Sequence, residues 1–258
     1  MPFLETADLR VHYALRGPEG APAVLFSSSL GATLSVWDAQ AAALEARFRV
    51  LRYDTRGHGL TSVTPGPSTI ARLGSDVVEL LDGLGIERCH FCGLSIGGMI
   101  GIWLGIHAAE RVERLVLCNT AARIGTPERW TERIQSVRTQ GMSALAPDLI
   151  ERWFTAEFRA RSPEVVASAL AMLESAPPEG YVACCEALRD ADLRSEIAAI
   201  RAPTLVIAGS EDPATPPAEG RFLADRIAGA EYVELPTSHL SNLAAPDLFN
   251  AELARFLA

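Results

Sequence analysis

The hydrophobic pattern of this chain alternates between short apolar runs rich in β-branched residues and longer segments with apolar residues at helical spacing. The run LRVHYAL at 9–15 alternates apolar and polar side chains, which predicts an early, half-exposed antiparallel strand. Six further runs predict strands of the same sheet: 23–26, 48–54, 88–93, 114–119, 203–209 and 231–236. Helices are predicted between them, at about 38–46, 68–84, 96–109, 217–228 and 246–257. This order is typical of a largely parallel sheet covered by helices.

One long segment, from about 121 to 200, interrupts this alternation. It is rich in Ala, Glu, Arg and Trp, shows helical periodicity and contains no run typical of a strand. Because it lies between two predicted sheet strands, we expect it to form a helical cap over the carboxyl edge of the sheet. We interpret residues 1–258 as a single α/β domain that carries this insertion.

Composition and charge exclude several classes of protein. The 258 residues include 23 Lys and Arg against 32 Asp and Glu, and the net charge of −9 argues against a nucleic-acid partner, since phosphate binding needs a basic face. No apolar run is long enough to cross a bilayer, and the first residues lack the pattern of a signal peptide. We therefore expect no membrane partner and a cytoplasmic location, and the sequence leaves a homo-oligomer open.

The five cysteines predict free thiols, because an odd number without a signal peptide favours a reducing compartment. The segment CHFC at 89–92 matches a redox or zinc motif. It falls on a predicted strand, however, where side chains three positions apart point to opposite faces of the sheet. We therefore expect Cys89 and Cys92 to be packing residues, and we interpret Cys184 and Cys185, on a helical segment, in the same way.

The strongest chemical signal is the segment FCGLSIGGMI at 91–100, in which Ser95 lies at the centre of a G-x-S-x-G pattern. The pattern stands between a predicted strand and a predicted helix, which is the context of a nucleophile elbow. Such a tight turn forces the serine into a sparsely allowed backbone conformation, and the glycines at 93 and 97 let strand and helix approach closely. The sequence therefore predicts Ser95 as a nucleophile, with an ordinary glycine-rich turn as the alternative.

A serine hydroxyl needs a base, and in this architecture the chain order is serine, acid, histidine. His239 is the one histidine of five that follows the last predicted strand, so it is our candidate base. His58, in DTRGHGLTS, is the strongest rival, but it precedes the serine and lies in a glycine-flanked turn.

The acid is expected after a strand that lies between Ser95 and His239 in the chain. Asp212, in the proline-rich loop of LVIAGSEDPATPP, is our candidate, with Glu211 as a minor alternative and a turn or helix-cap role as another. The corresponding position after the preceding strand carries Asn119, which cannot stabilise an imidazolium as a charge.

An oxyanion hole requires two backbone N–H groups directed at the developing charge. The N–H of Ile96, directly after the serine, is one candidate. The second is expected in the loop SSSLGATLSVWDAQ, where Gly31 permits an unusual backbone turn, so Leu30 is the candidate there.

Several motifs together resemble the α/β-hydrolases of the 3-oxoadipate enol-lactonase type over essentially the whole chain: SSSLGATLSVWDAQ, LRYDTRGHGLTS, HFCGLSIGGMIG, LCNTAARIGTPERW, GSEDPATPP and SHLSNL. The resemblance implies an α/β-hydrolase fold, with an eight-stranded, mostly parallel sheet and the cap inserted between strands 6 and 7. It implies opening of an enol-lactone from aromatic catabolism to 3-oxoadipate, in the β-ketoadipate pathway, through an acyl-enzyme and without metal or cofactor. It also implies Ser95, Asp212 and His239 as the triad and the amides of Leu30 and Ile96 as the oxyanion hole.

The small-molecule lactone implied by this resemblance carries a carboxylate, which needs a cation when it is buried. Arg123 and Arg133 lie beside the predicted cap, and Trp130 and Arg133 share one helix face by their spacing. One of the two arginines is our candidate for the carboxylate, with Trp130 as a pocket wall. A solvated helix face for the arginines and a place in the cap core for Trp130 are the alternatives.

The triad alone leaves other activities on the same fold open, because the cap sets the substrate. These are a general carboxylesterase, a perhydrolase and a carbon–carbon bond hydrolase. A ligand receptor that kept the scaffold without turnover is the alternative from a different class.

Overall fold

The computed structural model describes residues 2–258, and these contain one eight-stranded sheet. Its strands, in chain order, are β1 Phe3–Glu5, β2 Arg10–Arg16, β3 Ala23–Ser27, β4 Arg49–Tyr53, β5 Cys89–Leu94, β6 Val112–Cys118, β7 Thr204–Gly209 and β8 Glu231–Leu235. The spatial order is β1-β2-β4-β3-β5-β6-β7-β8; the β1–β2 and β2–β4 pairs are antiparallel, and the other five pairs are parallel. The expected mostly parallel sheet is confirmed, and the seven strands predicted from apolar runs are all present.

Helices cover both faces of the sheet and fill the long segment between β6 and β7. Their bounds are α1 Asp38–Leu44, α2 Ile70–Gly83, α3 Ile96–His107, α4 Pro127–Gln140, α5 Met142–Trp153, α6 Ala156–Arg161, α7 Pro163–Glu174, α8 Pro178–Asp190, α9 Pro217–Arg226, α10 Ser241–Ala244 and α11 Pro246–Leu257. Three short 3₁₀ turns lie at Leu34–Trp37, Ala109–Arg111 and Ile197–Ala199. Five helices, α4 to α8, follow one another between β6 and β7, and we call them the five-helix insertion.

Local sequence explains where these helices begin. The Thr69 hydroxyl accepts from the N–H of Arg72 at 3.0 Å and caps α2. Thr126 caps α4 in the same way, and the helix begins with Pro127. α3 follows β5 directly and is apolar on all sides, which suits a helix buried against the sheet. Among residues 2–258, no helix combines the length and apolarity that crossing a bilayer requires.

The five-helix insertion packs on the loops at the carboxyl ends of β3 and β4. A Cβ at Gly31, in the loop after β3, would lie 2.7 Å from the Leu173 side chain and 3.2 Å from the Tyr181 ring. Gly57, after β4, and Gly180, in α8, are in direct backbone contact, since a Cβ on Gly180 would lie 2.0 Å from the Gly57 carbonyl oxygen. The insertion therefore lies over the same sheet edge at which the predicted nucleophile is found.

All five cysteines are free and buried, as predicted. The Sγ atom of Cys92 on β5 lies 3.7 Å from the Sγ atom of Cys118 on the neighbouring strand β6. Burial raises the pKa of Cys89 and of Cys184 to about 12, so both thiols stay protonated at neutral pH.

Candidate active site

Ser95 lies between β5 and α3 in a strained backbone conformation, with φ 58° and ψ −118°. Three hydrogen bonds hold this residue in place. Its N–H donates to the Cys118 carbonyl at 3.0 Å, and its carbonyl accepts from the Thr120 hydroxyl at 2.7 Å and from the Met99 N–H at 3.1 Å. The predicted sharp turn is therefore present, and β6 and its following loop stabilise it.

The glycines around Ser95 are required by close backbone contacts. A Cβ on Gly93 would lie 2.1 Å from the Gly97 carbonyl oxygen, and a Cβ on Gly97 would lie 2.3 Å from the Ser27 carbonyl oxygen. Neither position has space for any side chain without backbone movement. The pattern G-x-S-x-G thus follows from the packing of α3 against β3 and β5.

Two further predicted residues meet at the carboxyl ends of β7 and β8. His239 Nδ1 and Asp212 Oδ2 are 2.8 Å apart, and both side chains are buried. Ser95 and His239 line one cavity of about 40 Å³, which we call the inner cavity. Its lining consists of Ser29, Leu30, Ser95, Ile124, Trp130, Arg133, Leu149, Arg152, Trp153, Tyr181, Leu188, Ala214 and His239.

The Asp212 carboxylate is held by hydrogen bonds from its own loop. Its Oδ1 accepts from the N–H groups of Ala214 at 2.8 Å and Thr215 at 3.1 Å, and its Oδ2 accepts from the Thr215 hydroxyl at 2.7 Å. Burial opposes ionisation, but the charge of His239 and the hydrogen bonds from His239 and Thr215 outweigh it and hold the pKa of Asp212 below its usual value. Asp212 is therefore an anion throughout the neutral range, whereas Glu211 is exposed.

Asn119 makes a contact that the sequence did not reveal. It has a φ of 44° at the end of β6, and its Nδ2 donates to Asp212 Oδ2 and to the Ser238 carbonyl, both at 3.1 Å. Its Oδ1 accepts from the Ser241 hydroxyl at 2.8 Å. The residue that occupies the rival acid position thus donates a hydrogen bond to the carboxylate of Asp212.

The loop after β3 brings Leu30 to the inner cavity. Gly31 has a φ of 80°, as the predicted unusual turn requires, and Asp54 fixes the loop by accepting from the Leu34 N–H at 2.7 Å. Ile96 begins α3 beside Ser95. Within the described part of the chain, no acceptor is found for the N–H groups of Leu30 and Ile96, so both remain available to an oxyanion.

His58, the rival base, is not among the residues that line the inner cavity. Its Nδ1 lies 3.1 Å from the Arg56 carbonyl oxygen, and complete burial lowers its pKa. Its ring lies 6.4 Å from that of Tyr181, behind the cavity wall. The structure therefore brings His239, and not His58, to the cavity that Ser95 lines.

The two candidate arginines are separated. Arg133 lines the inner cavity, with its guanidinium 4.8 Å from the centroid of the Trp130 ring. Arg123 instead pairs with Asp192 at 3.3 Å and is absent from the cavity lining. Trp130 is both buried and a cavity wall, and its Nε1–H donates to the Ile124 carbonyl at 2.6 Å.

Arg152, near the end of α5, also lines the inner cavity, although it is not among the residues predicted from the sequence. The signal that could have revealed it is its place beside Trp153 in LIERWF, where a cation adjoins an aromatic residue at the end of an amphipathic helix. The inner cavity thus combines the Ser95 hydroxyl, the His239 imidazole and two guanidinium groups within a largely apolar wall.

Comparison with known proteins shows which family the chain resembles. The chain is 44% identical to 3-oxoadipate enol-lactonase 2 of Acinetobacter baylyi, with 96% of this chain and 92% of that protein covered, and 40% identical to enol-lactonase 1 of the same organism, with 91% and 88% covered. The crystal structure of the enol-lactonase from Burkholderia xenovorans LB400 has a TM-score of 0.98 and 48% identity, with 99% of each chain covered. The family model of the alpha/beta hydrolase fold matches residues 22–246. The chain therefore belongs to the alpha/beta hydrolase family.

Proposed function

We propose that this protein hydrolyses 3-oxoadipate enol-lactone to 3-oxoadipate through a triad of Ser95, His239 and Asp212. The observation that carries the proposal is one cavity lined by Ser95, His239 and Arg133. The two enol-lactonases of Acinetobacter baylyi, similar over most of their length, support the choice of substrate.

The first half-reaction is acyl transfer to Ser95. Its Oγ attacks the lactone carbonyl while His239 Nε2 takes the proton, and the Asp212 carboxylate at Nδ1 fixes the tautomer and stabilises the imidazolium. The N–H groups of Leu30 and Ile96 bind the tetrahedral oxyanion. Collapse breaks the ring C–O bond, and the enol oxygen receives the proton from His239. Because that oxygen belongs to the same molecule, the leaving group stays attached to the acyl chain.

The second half-reaction is hydrolysis of the ester. His239 takes a proton from a water molecule that attacks the acyl carbon, and the oxyanion forms again in the same hole. Ser95 Oγ then leaves with the proton from His239, and the enol tautomerises to the ketone. One water is consumed, and the product carries a second carboxylate. Apart from this water, the steps use only side chains and backbone amides of this chain.

Arg133 is our candidate for the carboxylate that the lactone already carries. A carboxylate in an apolar cavity needs a cation, and among residues 2–258 no acidic side chain forms an ion pair with Arg133. The planar guanidinium can bind a carboxylate through two parallel hydrogen bonds. Its position over Trp130 restricts the side chain before substrate binds.

We also propose that the five-helix insertion is a cap on a single hydrolase domain. Three of its helices, α4, α5 and α8, contribute Trp130, Arg133, Leu149, Arg152, Trp153, Tyr181 and Leu188 to the inner cavity. These side chains exclude water from the reacting atoms and distinguish one acyl group from another. The free, buried cysteines support a cytoplasmic location, since they are typical of a reducing compartment.

The experiment is a hydrolysis assay on the enol-lactone beside neutral aryl esters and a vinylogous diketone. We expect the lactone to give the highest kcat/KM and Ser95→Ala to abolish its turnover while the protein stays folded. Ser35→Ala, at an exposed serine, is the matched control and should retain full activity. A preference for neutral esters or for the diketone would assign a different activity on this fold, and binding without turnover by the native protein would indicate a receptor.

A further inference from the structure

A second, larger cavity adjoins the inner cavity and has an unusual set of charges. It measures about 330 Å³, and we call it the outer cavity. Arg133, Arg152 and Trp130 line both cavities, whereas Arg129 lines the outer one alone. Two exposed acids, Glu132 and Asp148, also belong to its lining.

The three guanidinium groups of Arg129, Arg133 and Arg152 have no carboxylate partner within salt-bridge distance among residues 2–258. Neighbouring arginines of the same region differ in this respect. Arg138, on the same helix as Arg129, pairs with Glu186 at 3.0 Å, and Arg123 pairs with Asp192. Three arginines without a carboxylate partner therefore meet at one cavity.

The three charges act on one another. Burial lowers the pKa of Arg152, and the positive charges of Arg133 and Arg129 lower it further, while Asp148 opposes them. Mutual repulsion of this kind is relieved when an anion binds between the cations. A planar guanidinium is also the side chain best suited to a carboxylate.

The sizes of the two cavities indicate an order of binding. The inner cavity, at about 40 Å³, is much smaller than the outer cavity, at about 330 Å³. The outer cavity has the size of an ordinary small-molecule pocket. A ring with an acetate side chain therefore fits the outer cavity more readily than the inner cavity, which Ser95 lines.

We propose that Arg129 and Arg152 form, with Arg133, an anion vestibule that captures small organic carboxylates before they reach the catalytic residues. The identity of the natural anion rests on the proposed function, but the vestibule itself does not. A chain with a net charge of −9 repels anions at long range, so local cations are needed to raise their concentration at this site. A set of three guanidiniums also suits a dicarboxylate such as the product of lactone hydrolysis.

The kinetic test removes a cation that lies outside the inner cavity. Arg129→Gln should lower kcat/KM for the carboxylated lactone about tenfold at low salt, and the loss should shrink as salt rises, because screening shortens the range of these charges. The loss on a neutral ester should be several-fold smaller. Arg138→Gln, which removes a paired arginine from the same helix, is the matched control and should change neither rate. If Arg129→Gln lowered kcat/KM equally for the lactone and the ester at all salt concentrations, the proposal of a vestibule would be overturned.

A binding test separates this inference from the proposed function. Adipate, a stable six-carbon dicarboxylate, is titrated calorimetrically into Ser95→Ala protein, which cannot turn over. When Arg129→Gln and Arg152→Gln are both added to the Ser95→Ala protein, adipate binding should weaken at least tenfold. When Arg138→Gln is added instead, the affinity for adipate should stay unchanged. Undiminished binding in the variant lacking both vestibule arginines, or no binding to Ser95→Ala protein, would overturn the vestibule. Failure of the native enzyme to hydrolyse the lactone would instead overturn the proposed function, whatever the adipate result.

Discussion

Replacing Asp212 with asparagine changes one oxygen to an NH₂ group and tests the triad directly. The oxygen of the new side chain can accept from the N–H groups of Ala214 and Thr215, which donate to Asp212 Oδ1 in the native protein. Its NH₂ group then faces three donors at the former Oδ2 position: the Thr215 hydroxyl, the Asn119 amide and His239 Nδ1–H. The hydroxyl can rotate to accept, and the imidazole can move its proton to Nε2, but the Asn119 amide remains a donor opposite a donor.

The change of histidine tautomer determines the size of the effect on rate. With its proton on Nε2, His239 can no longer accept a proton from Ser95. Loss of this orientation lowers kcat by about 10,000-fold in a serine triad, which corresponds to about 5.5 kcal/mol of transition-state stabilisation. The Asn119 amide and the new NH₂ group are both donors, so neither can hydrogen-bond to the other. This loss should lower the free energy of unfolding by about 1–3 kcal/mol.

The stability effect has a predicted pH dependence. The pKa of Asp212 is lower in the folded chain than its ordinary value, so its ionised form stabilises the fold. That contribution is complete above about pH 4, the ordinary carboxyl pKa, and is lost as pH falls through the folded pKa. The difference in unfolding free energy between native protein and Asp212→Asn should therefore narrow below about pH 4.

The assay compares kcat on the enol-lactone and urea unfolding for Asp212→Asn and for Glu211→Gln. The second variant makes the same chemical change at the exposed neighbouring acid, so it should retain native rate and stability. A rate for Asp212→Asn within tenfold of the native rate would refute the assignment of Asp212 as the orienting acid. A large loss of kcat in Glu211→Gln, without such a loss in Asp212→Asn, would assign the role of orienting acid to Glu211.

Three further predictions follow from single contacts. Arg133→Ala should raise KM for the carboxylated lactone at least tenfold more than for a neutral ester, whereas Arg123→Ala should not distinguish the two substrates, as steady-state kinetics would show. Gly97→Ala should destabilise the fold by about 1–3 kcal/mol in urea unfolding, because its Cβ would lie 2.3 Å from a backbone oxygen of β3. Gly105→Ala on the same helix is the control and should have a smaller effect, because its Cβ would lie 3.3 Å from the nearest atom, which belongs to a side chain. Asp76→Asn should lower the free energy of unfolding by about 3 kcal/mol, because it breaks the buried ion pair in which Asp76 Oδ1 lies 2.5 Å from Arg56 Nη2. An unchanged midpoint of urea unfolding would contradict this prediction.

The sheet and the positions of Ser95, Asp212 and His239 could be predicted because local rules fix them. Gly93 is required by its contact with the Gly97 carbonyl inside the elbow, and Gly97 by its contact with the Ser27 carbonyl of β3, so the packing of the elbow leaves a pattern that is visible in a few letters of sequence. The other two residues follow strands of a parallel sheet, and the carboxyl ends of such strands lie at one edge. β1, by contrast, has three residues, which is too short for any periodic signal.

The residues of the insertion could not be assigned in the same way, because their orientation depends on how α4, α5 and α8 pack against one another and on the sheet edge. Helical spacing relates Trp130 to Arg133 within α4, but it does not relate either of them to Arg123, which precedes that helix and pairs with Asp192. Arg152 reaches the same cavity from α5 through a tertiary contact that no local pattern encodes. The positions of the proposed catalytic groups therefore follow from the fold, whereas the positions of the arginines that we propose as carboxylate ligands follow from the packing of the insertion. Substitutions in α4 and α5 should accordingly change which acyl group is hydrolysed while leaving the hydrolytic chemistry intact.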